Sequence, residues 1–186
     1  YDYYIESIAS SNEYKFDYDK NDNVISISDP LNRITKFAYD IMDNITRMTN
    51  NQGDSIEYTY DLDGKLISIV DPLGNKQKFE YDKQGRIKSF ANALSHKTFY
   101  TFDARGRIVE IKDPEGNSYR YIYDGNGNLV SYINSLSDSW HYKYDKLDRM
   151  VERISPDGNH EKYLYNSNNN LTSVKYLIQL IKNNNR

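Results

Sequence analysis

The feature that most constrains this chain is an aromatic residue that recurs every 21 positions without an insertion. Tyrosine makes up 19 of the 186 residues, well above ordinary globular usage, and this period accounts for much of the excess. A fixed period of this length is typical of repeat proteins, in which each unit packs only on its neighbours. The recurring residues, which we call the anchors, are Tyr18, Tyr39, Tyr60, Tyr81, Phe102, Tyr123, Tyr144 and Tyr165.

Fixed positions around the anchor predict a β-hairpin in every repeat. A second aromatic residue stands two positions earlier, and the alternation in Phe79-Glu80-Tyr81 has the period of two that a strand requires. The segment Asp61-Leu62-Asp63-Gly64 predicts a type I turn closed by a residue in the left-handed region, with the Asp carboxylate accepting a hydrogen bond from the backbone amide two residues on. In the repeats with glycine here, the Asp and Gly positions are Asp61, Gly64, Asp82, Gly85, Asp103, Gly106, Asp124 and Gly127.

A second turn completes each repeat, as in Asp71-Pro72-Leu73-Gly74. Two strands and two turns use all 21 residues, so the predicted fold class is all-β: an array of β-hairpin repeats that forms a curved or spiralling sheet. The predicted organisation is an N-terminal edge with a partial repeat (1–13), an array of eight units (14–175) and a divergent C-terminal tail (176–186).

Two features of the pattern leave alternatives open. Strict alternation places Ile67 and Ile69 on the face opposite the aromatic residues, which suits a curved wall, but a bulge at the glycine turn would shift the register. Which face points inward is therefore not decided. The prolines, 42 residues apart, indicate either a duplicated double repeat or two alternating hairpin environments; they are Pro30, Pro72, Pro114 and Pro156.

Composition excludes several classes of protein. The absence of cysteine rules out disulfides, cysteine zinc sites and cysteine nucleophiles, and a net charge of −3 does not favour a nucleic-acid partner. The most apolar stretch, residues 176–181, is far shorter than the roughly 20 residues of a membrane-spanning helix, so membrane insertion is not expected. Because the chain opens on Tyr1-Asp2-Tyr3-Tyr4, without Met or a basic leader, we expect a fragment of a longer protein.

No catalytic, cofactor or metal site is expected from the motifs. Asp61-Leu62-Asp63-Gly64 resembles the start of a calcium loop, but the position of the distal Glu is occupied by Pro72. Asp residues that recur in every repeat are better explained as turn formers than as a catalytic pair. His96, His141 and His160 fall in three different columns, which does not favour a metal site.

The aromatic columns allow one binding hypothesis. Exposed tyrosine ladders can stack on sugar rings, and repeat proteins often bind ligands along an extended face. Packing within the sheet is the favoured interpretation, because the aromatic residues stand at invariant hairpin positions.

Residues 14–175 resemble the Rhs or YD-repeat family, which includes bacterial polymorphic toxins, insecticidal toxin complexes, wall-associated proteins and teneurins. The resemblance is carried by Tyr60-Asp61-Leu62-Asp63-Gly64-Lys65-Leu66, Phe102-Asp103-Ala104-Arg105-Gly106-Arg107-Ile108 and Asp113-Pro114-Glu115-Gly116-Asn117. It implies a non-enzymatic segment of a secreted or cell-surface bacterial β-shell. Its implied partners are the remaining repeats and a C-terminal toxin domain of the parent chain, which the shell encloses or presents in interbacterial or host-directed competition.

Two further expectations accompany the resemblance. The autoproteolytic segment of such toxins extends the Asp-Pro-x-Gly motif with Leu and Gly, whereas Gly74 is followed by Asn75-Lys76, so no cleavage residue is assigned to this chain. The alternative function is a cell-surface module that binds carbohydrate or mediates adhesion. An isolated fragment would expose strand edges and is expected to oligomerise or aggregate.

Overall fold

The computed structural model describes residues 13–177, which form sixteen β-strands and no helix. This confirms the predicted all-β hairpin array. The strands are β1 Lys15–Tyr18, β2 Val24–Ser28, β3 Ile34–Tyr39, β4 Ile45–Thr49, β5 Ser55–Tyr60, β6 Leu66–Val70, β7 Lys76–Tyr81, β8 Ile87–Ala91, β9 Lys97–Phe102, β10 Ile108–Lys112, β11 Ser118–Tyr123, β12 Leu129–Ile133, β13 Ser139–Tyr144, β14 Met150–Ile154, β15 His160–Tyr165 and β16 Leu171–Leu177.

The chain divides into two compact units, the first ending at Lys97 and the second beginning at Thr98. Within each unit the strands pair antiparallel with their neighbours in chain order, as β5 pairs with β6 and β13 with β14. The last strand continues to Leu177, two residues beyond the array boundary expected from the sequence. The expectations for residues 1–12 and 178–186 concern segments outside the described residues. Over the described part of the chain, no helix has the length and apolar character needed to cross a membrane.

The described residues contain two kinds of turn that share one backbone geometry. In the anchor turns, which follow the anchors, Asp61 N–H donates to Lys65 O at 2.9 Å and Gly64 N–H to Asp61 O at 3.0 Å. In the return turns, such as residues 71–74, the corresponding bonds from Asp71 and Gly74 measure 3.0 and 2.9 Å. All eight residues at the fourth anchor-turn position have positive φ, whether glycine or not; they are Asp22, Asp43, Gly64, Gly85, Gly106, Gly127, Asp148 and Asn169.

The alternation of the prolines does not correspond to a different return turn. Gly74, in a turn with proline, and Ser95, in a turn without it, have φ values of 83° and 63°. Ser95 N–H donates to Asn92 O at 2.9 Å, the same length as the bond from Gly74 to Asp71. The return-turn geometry is therefore shared by both classes of repeat.

A β-bulge after each anchor turn changes the expected distribution of side chains. Tyr60 pairs with Leu66 but Thr59 pairs with Ser68, so Ile67 has no partner in the register. Ile69 pairs with Tyr58 and therefore shares a face with the aromatic residues. The expectation that Ile67 and Ile69 lie together on the opposite face is wrong, because the bulge adds one residue to the even-numbered strand.

The sheet has no dry core within the described residues. No apolar side chain from residues 13–177 is buried, and the buried residues are Ser68, Ser89, Ser131 and Glu152. Isolated hairpins are marginally stable in water, so each repeat depends on the pairing and side-chain contacts of its neighbours.

Candidate functional site

The Asp or, after Tyr165, the Asn that follows each anchor stabilises its turn through two backbone amides. Asp61 Oδ1 accepts hydrogen bonds from Asp63 N and Lys65 N, both at 2.9 Å. The sequence predicts the first bond, whereas the second, from four residues on, depends on the turn geometry. At Asp40, bonds from the backbone and side-chain amides of Asn44 hold the pKa of the carboxyl below its usual value. These carboxylates therefore stabilise the local backbone of the hairpin by accepting its hydrogen bonds.

Five of the anchor tyrosines join one repeat to the next through their hydroxyl groups. Tyr60 Oη donates a hydrogen bond of 2.9 Å to the backbone carbonyl of Ile45, fifteen residues earlier. Tyr144 makes the same contact with Leu129 O at 3.0 Å, and burial raises the pKa of both tyrosines. The same bond recurs at 2.7–2.8 Å in Tyr39, Tyr81 and Tyr165. Phe102 occupies an anchor position without a hydroxyl and cannot make this bond.

One face of the sheet, the aromatic face, carries the aromatic residues that stand two positions before the anchors. Phe79 lies opposite Phe90 with ring centroids 5.4 Å apart. In the second unit Tyr132 lies between Tyr121 and Trp140, at 5.4 Å from each ring. These rings are half-buried, so they pack on each other while part of each remains accessible.

The aromatic face becomes polar near its C-terminal end. Arg153 lies opposite both Tyr142 and Glu161, and its guanidinium is 3.3 Å from the Glu161 carboxylate. Tyr163 Oη donates to the same carboxylate at 2.7 Å, and this hydrogen bond raises the pKa of Tyr163 to about 12. The pair of charges is thus satisfied by neighbours on the same face.

The opposite face, the polar face, has a small or charged residue at the centre of each even-numbered strand. Ser68, 4% exposed, lies between Thr59 and Lys78 in the register. Ser89 Oγ donates to Glu80 at 3.0 Å, so this column of serines packs beneath longer polar side chains.

Glu152 occupies the same central position in the seventh of the eight repeats. Its carboxylate lies 2.6 Å from Lys143 Nζ and 2.8 Å from His160 Nδ1. The contacts with Lys143 and then His160 lower its pKa to about 2, so it is ionised near neutral pH. The geometry is that of a buried, fully paired carboxylate.

The histidines do not converge on one site. His160 contacts Glu152, while His141 Nε2 lies 3.3 Å from Ser139 Oγ. His96 N–H donates to Asn92 Oδ1 within a return turn. Among residues 13–177, no group of three or more His, Asp or Glu side chains is arranged to hold a metal ion.

The comparisons with known proteins agree with this architecture. The family profile of the Teneurin YD-shell matches residues 3–125, and that of the RHS Repeat matches residues 123–160. None of the curated proteins matches the chain.

Several solved structures have a similar fold. A TcdB2-TccC3 structure aligns with 87% of this chain at 16% identity and a TM-score of 0.64, and TcdB2-TccC3-Cdc42 aligns with 78% at 18% identity and 0.62. The Photorhabdus luminescens Tc holotoxin pore aligns with 77% at 18% identity and 0.61. This chain spans only 9–11% of those chains, and at these identities the likeness shows the fold alone.

Proposed function

This chain belongs to the Teneurin YD-shell family, and from that membership we propose that it is a non-enzymatic segment of the wall of a β-shell. The observation that carries the proposal is the anchor hydroxyl bond from one repeat to the next, as from Tyr60 to Ile45. Because no apolar side chain among residues 13–177 is buried, each repeat depends on its neighbours, and this bond adds to the strand pairing that joins them.

The proposed task of the wall is to enclose or present a C-terminal toxin domain of a longer, secreted or surface-displayed parent. The similar structures are named as Tc toxin components, and one is described as lacking a hypervariable C-terminal region. The proposed partners are accordingly the remaining repeats and the toxin domain of the same chain. Enclosure would also cover an aromatic face that is left half-exposed in the described residues.

Sequencing the gene on both sides of this reading frame tests the proposal. We expect further 21-residue repeats upstream, and downstream an Asp-Pro-x-Gly segment extended by Leu and followed by a variable domain. A gene that encodes these eight repeats alone would contradict the enclosing role, because it would supply neither the rest of a wall nor a cargo.

The row of Tyr121, Tyr132 and Trp140 favours one second candidate, a carbohydrate-binding surface. Three neighbouring half-exposed rings offer a platform on which sugar rings could stack. Titration with glycans while recording the fluorescence of Trp140, the only tryptophan, tests this candidate. A saturable change that Tyr132→Ala abolishes in a folded protein would support adhesion, and no change across a broad glycan panel would contradict it.

A further inference from the structure

The anchor turns of successive repeats touch through a specific pair of positions. The first is the residue five places after the anchor, and the second is the left-handed residue of the next anchor turn, twenty positions later. Asn23 Nδ2 donates to Asp43 Oδ1 at 2.6 Å, and Asn128 Nδ2 donates to Asp148 Oδ1 at 2.7 Å. The two positions are therefore in hydrogen-bonding contact in both units.

A second donor strengthens the contact where the left-handed residue is Asp. Asn21 Nδ2 also donates to Asp43 at 3.1 Å, and Asn126 Nδ2 to Asp148 at 2.9 Å. Where the left-handed residue is Asn169, its Oδ1 accepts a bond of 2.7 Å from Arg149 Nη1 instead. Each of these non-glycine residues thus receives an amide or guanidinium from the preceding repeat.

A donor side chain of the preceding repeat also lies close to the left-handed residue where that residue is glycine. A Cβ placed on Gly64 would lie 3.8 Å from Asn44 Nδ2, and a Cβ on Gly127 would lie 3.6 Å from Arg107 Nη1. The donor of the preceding repeat is therefore already positioned over these glycines, and only the acceptor is missing. In the return turns, by contrast, a Cβ on Gly53 or Gly74 would meet nothing within 4 Å.

The choice between glycine and Asp has an energetic consequence. An L-residue in the left-handed region carries a conformational cost, which Asp and Asn bear better than most residues. Hydrogen bonds to a carboxylate are stronger than neutral ones, so two amide donors offset that cost. An Asp at this position is therefore favourable only after a repeat that supplies the donors.

We propose that these two positions form a recognition pair that determines which repeat can follow which in the array. The interaction surface is the anchor turn, and its fitting partner is a repeat whose left-handed residue accepts the bond that the preceding repeat donates. A left-handed Asp that follows a repeat without these donors remains strained and unbonded, which disfavours that pairing, whereas glycine is tolerated after either kind of repeat. This role concerns assembly of the array and is independent of whether the array encloses a cargo.

The test introduces the same substitution at both kinds of turn in the full chain. Gly74→Asp adds a left-handed Asp with nothing near it and should lower the melting temperature by roughly 2–4 °C. Gly64→Asp adds the same strain beside Asn44 and should lower it by less than half as much. Adding Asn44→Ala to Gly64→Asp should restore the full loss, beyond the loss that Asn44→Ala alone causes through its bonds to Asp40. Equal losses for the two Gly→Asp variants would overturn the proposal.

A second measurement keeps the proposal testable if either variant fails to fold. Asn128→Ala should lower the melting temperature of the natural chain by more than it does in an Asp148→Gly background, where only the bond from Asn128 to Asp124 remains to be lost. Equal effects of Asn128→Ala in both backgrounds would overturn the pairing, since the two side chains would then act independently.

Discussion

The anchor turns and the return turns are locally alike but differ in what they do between repeats. Asn166 and Asn134 begin turns of the two kinds, and each accepts hydrogen bonds from the amides two and four residues on, at 2.9–3.0 Å. In the anchor turns a side chain of the preceding repeat reaches the left-handed residue, whereas Gly53 and Gly74 in the return turns are open. Turn formation and repeat recognition are therefore separable properties.

This difference explains a pattern among the left-handed residues. The return turns include Ser95 and Ser137 in the left-handed region, although serine has no special tolerance of it. The anchor turns instead use Asp43 and Asp148, whose carboxylates are bonded by the preceding repeat. The strain of a left-handed residue is therefore not offset at the edge that carries the return turns. At the edge that carries the anchor turns, hydrogen bonds from the preceding repeat offset it.

The largest loss of stability is expected on replacing the residue that begins each turn, because both kinds of turn make the same backbone hydrogen bonds to that residue. Asn166→Ala in an anchor turn and Asn92→Ala in a return turn each remove two hydrogen bonds from backbone amides and should each lower the free energy of unfolding by about 2 kcal/mol. Urea unfolding of both variants measures this loss. A difference of more than about 1 kcal/mol would show that the turns are not locally equivalent.

The second-largest loss of stability is expected on removing the anchor hydroxyl bond between repeats. Tyr144→Phe removes the hydroxyl bond to Leu129 O and should lower the free energy of unfolding by about 1 kcal/mol. The matched control is Tyr142→Phe on the aromatic face, where the change should stay within about 0.5 kcal/mol. Equal effects of the two substitutions would mean that the anchor hydroxyl does not stabilise the contact between repeats.

Glycine at the left-handed position should act in opposite directions at the two edges. Ser137→Gly relieves strain in a return turn and should raise the free energy of unfolding by about 0.5 kcal/mol. Asp148→Gly relieves similar strain but loses the bonds from Asn126 and Asn128, so it should lower that free energy. If both substitutions raised the free energy of unfolding, the bonds from the preceding repeat would not stabilise the anchor turn, and the proposed difference between the two kinds of turn would be wrong.

The smallest difference is expected in the response to acid. Backbone amides of Asn44 and Arg33 hold the pKa values of Asp40, in an anchor turn, and Asp29, in a return turn, below 3.8. Because the folded values are lower than the unfolded ones, this stabilisation is present above about pH 4 and is lost as the pH falls through the folded values. NMR titration of both carboxyl groups should give two midpoints below 3.8, and an unshifted midpoint at either edge would contradict it.

Residue types alone predict the hairpins and their turns because glycine, Asp and Asn at a left-handed position report a backbone conformation directly. Asp22, Asp43 and Asn169, which stand where other repeats have glycine, do have positive φ. The bond from Tyr60 to Ile45 O could not be predicted from the sequence, because every residue type has a backbone carbonyl and the identity of Ile45 does not mark it as an acceptor. The pairing of Asn128 with Asp148 was detectable in principle, because Asn23 and Asp43 repeat the same combination at the same spacing.

The position of the side chains was harder to predict than the strands. A strict period of two placed Ile69 away from the aromatic residues, but one bulged residue reverses the assignment of every position that follows it in the strand. The charged groups on the sheet, such as Glu152 with Lys143, depend on cross-strand register and so emerge only once that register is known.

The central claim, that this chain is part of the wall of a larger β-shell, is tested most directly by cryo-electron microscopy of the parent protein. The account predicts that residues 15–177 form consecutive wall strands around an enclosed C-terminal domain, with Tyr60 and Tyr144 bonded to the preceding repeats. A parent in which these repeats form a separate array, with the C-terminal domain outside it, would contradict the claim.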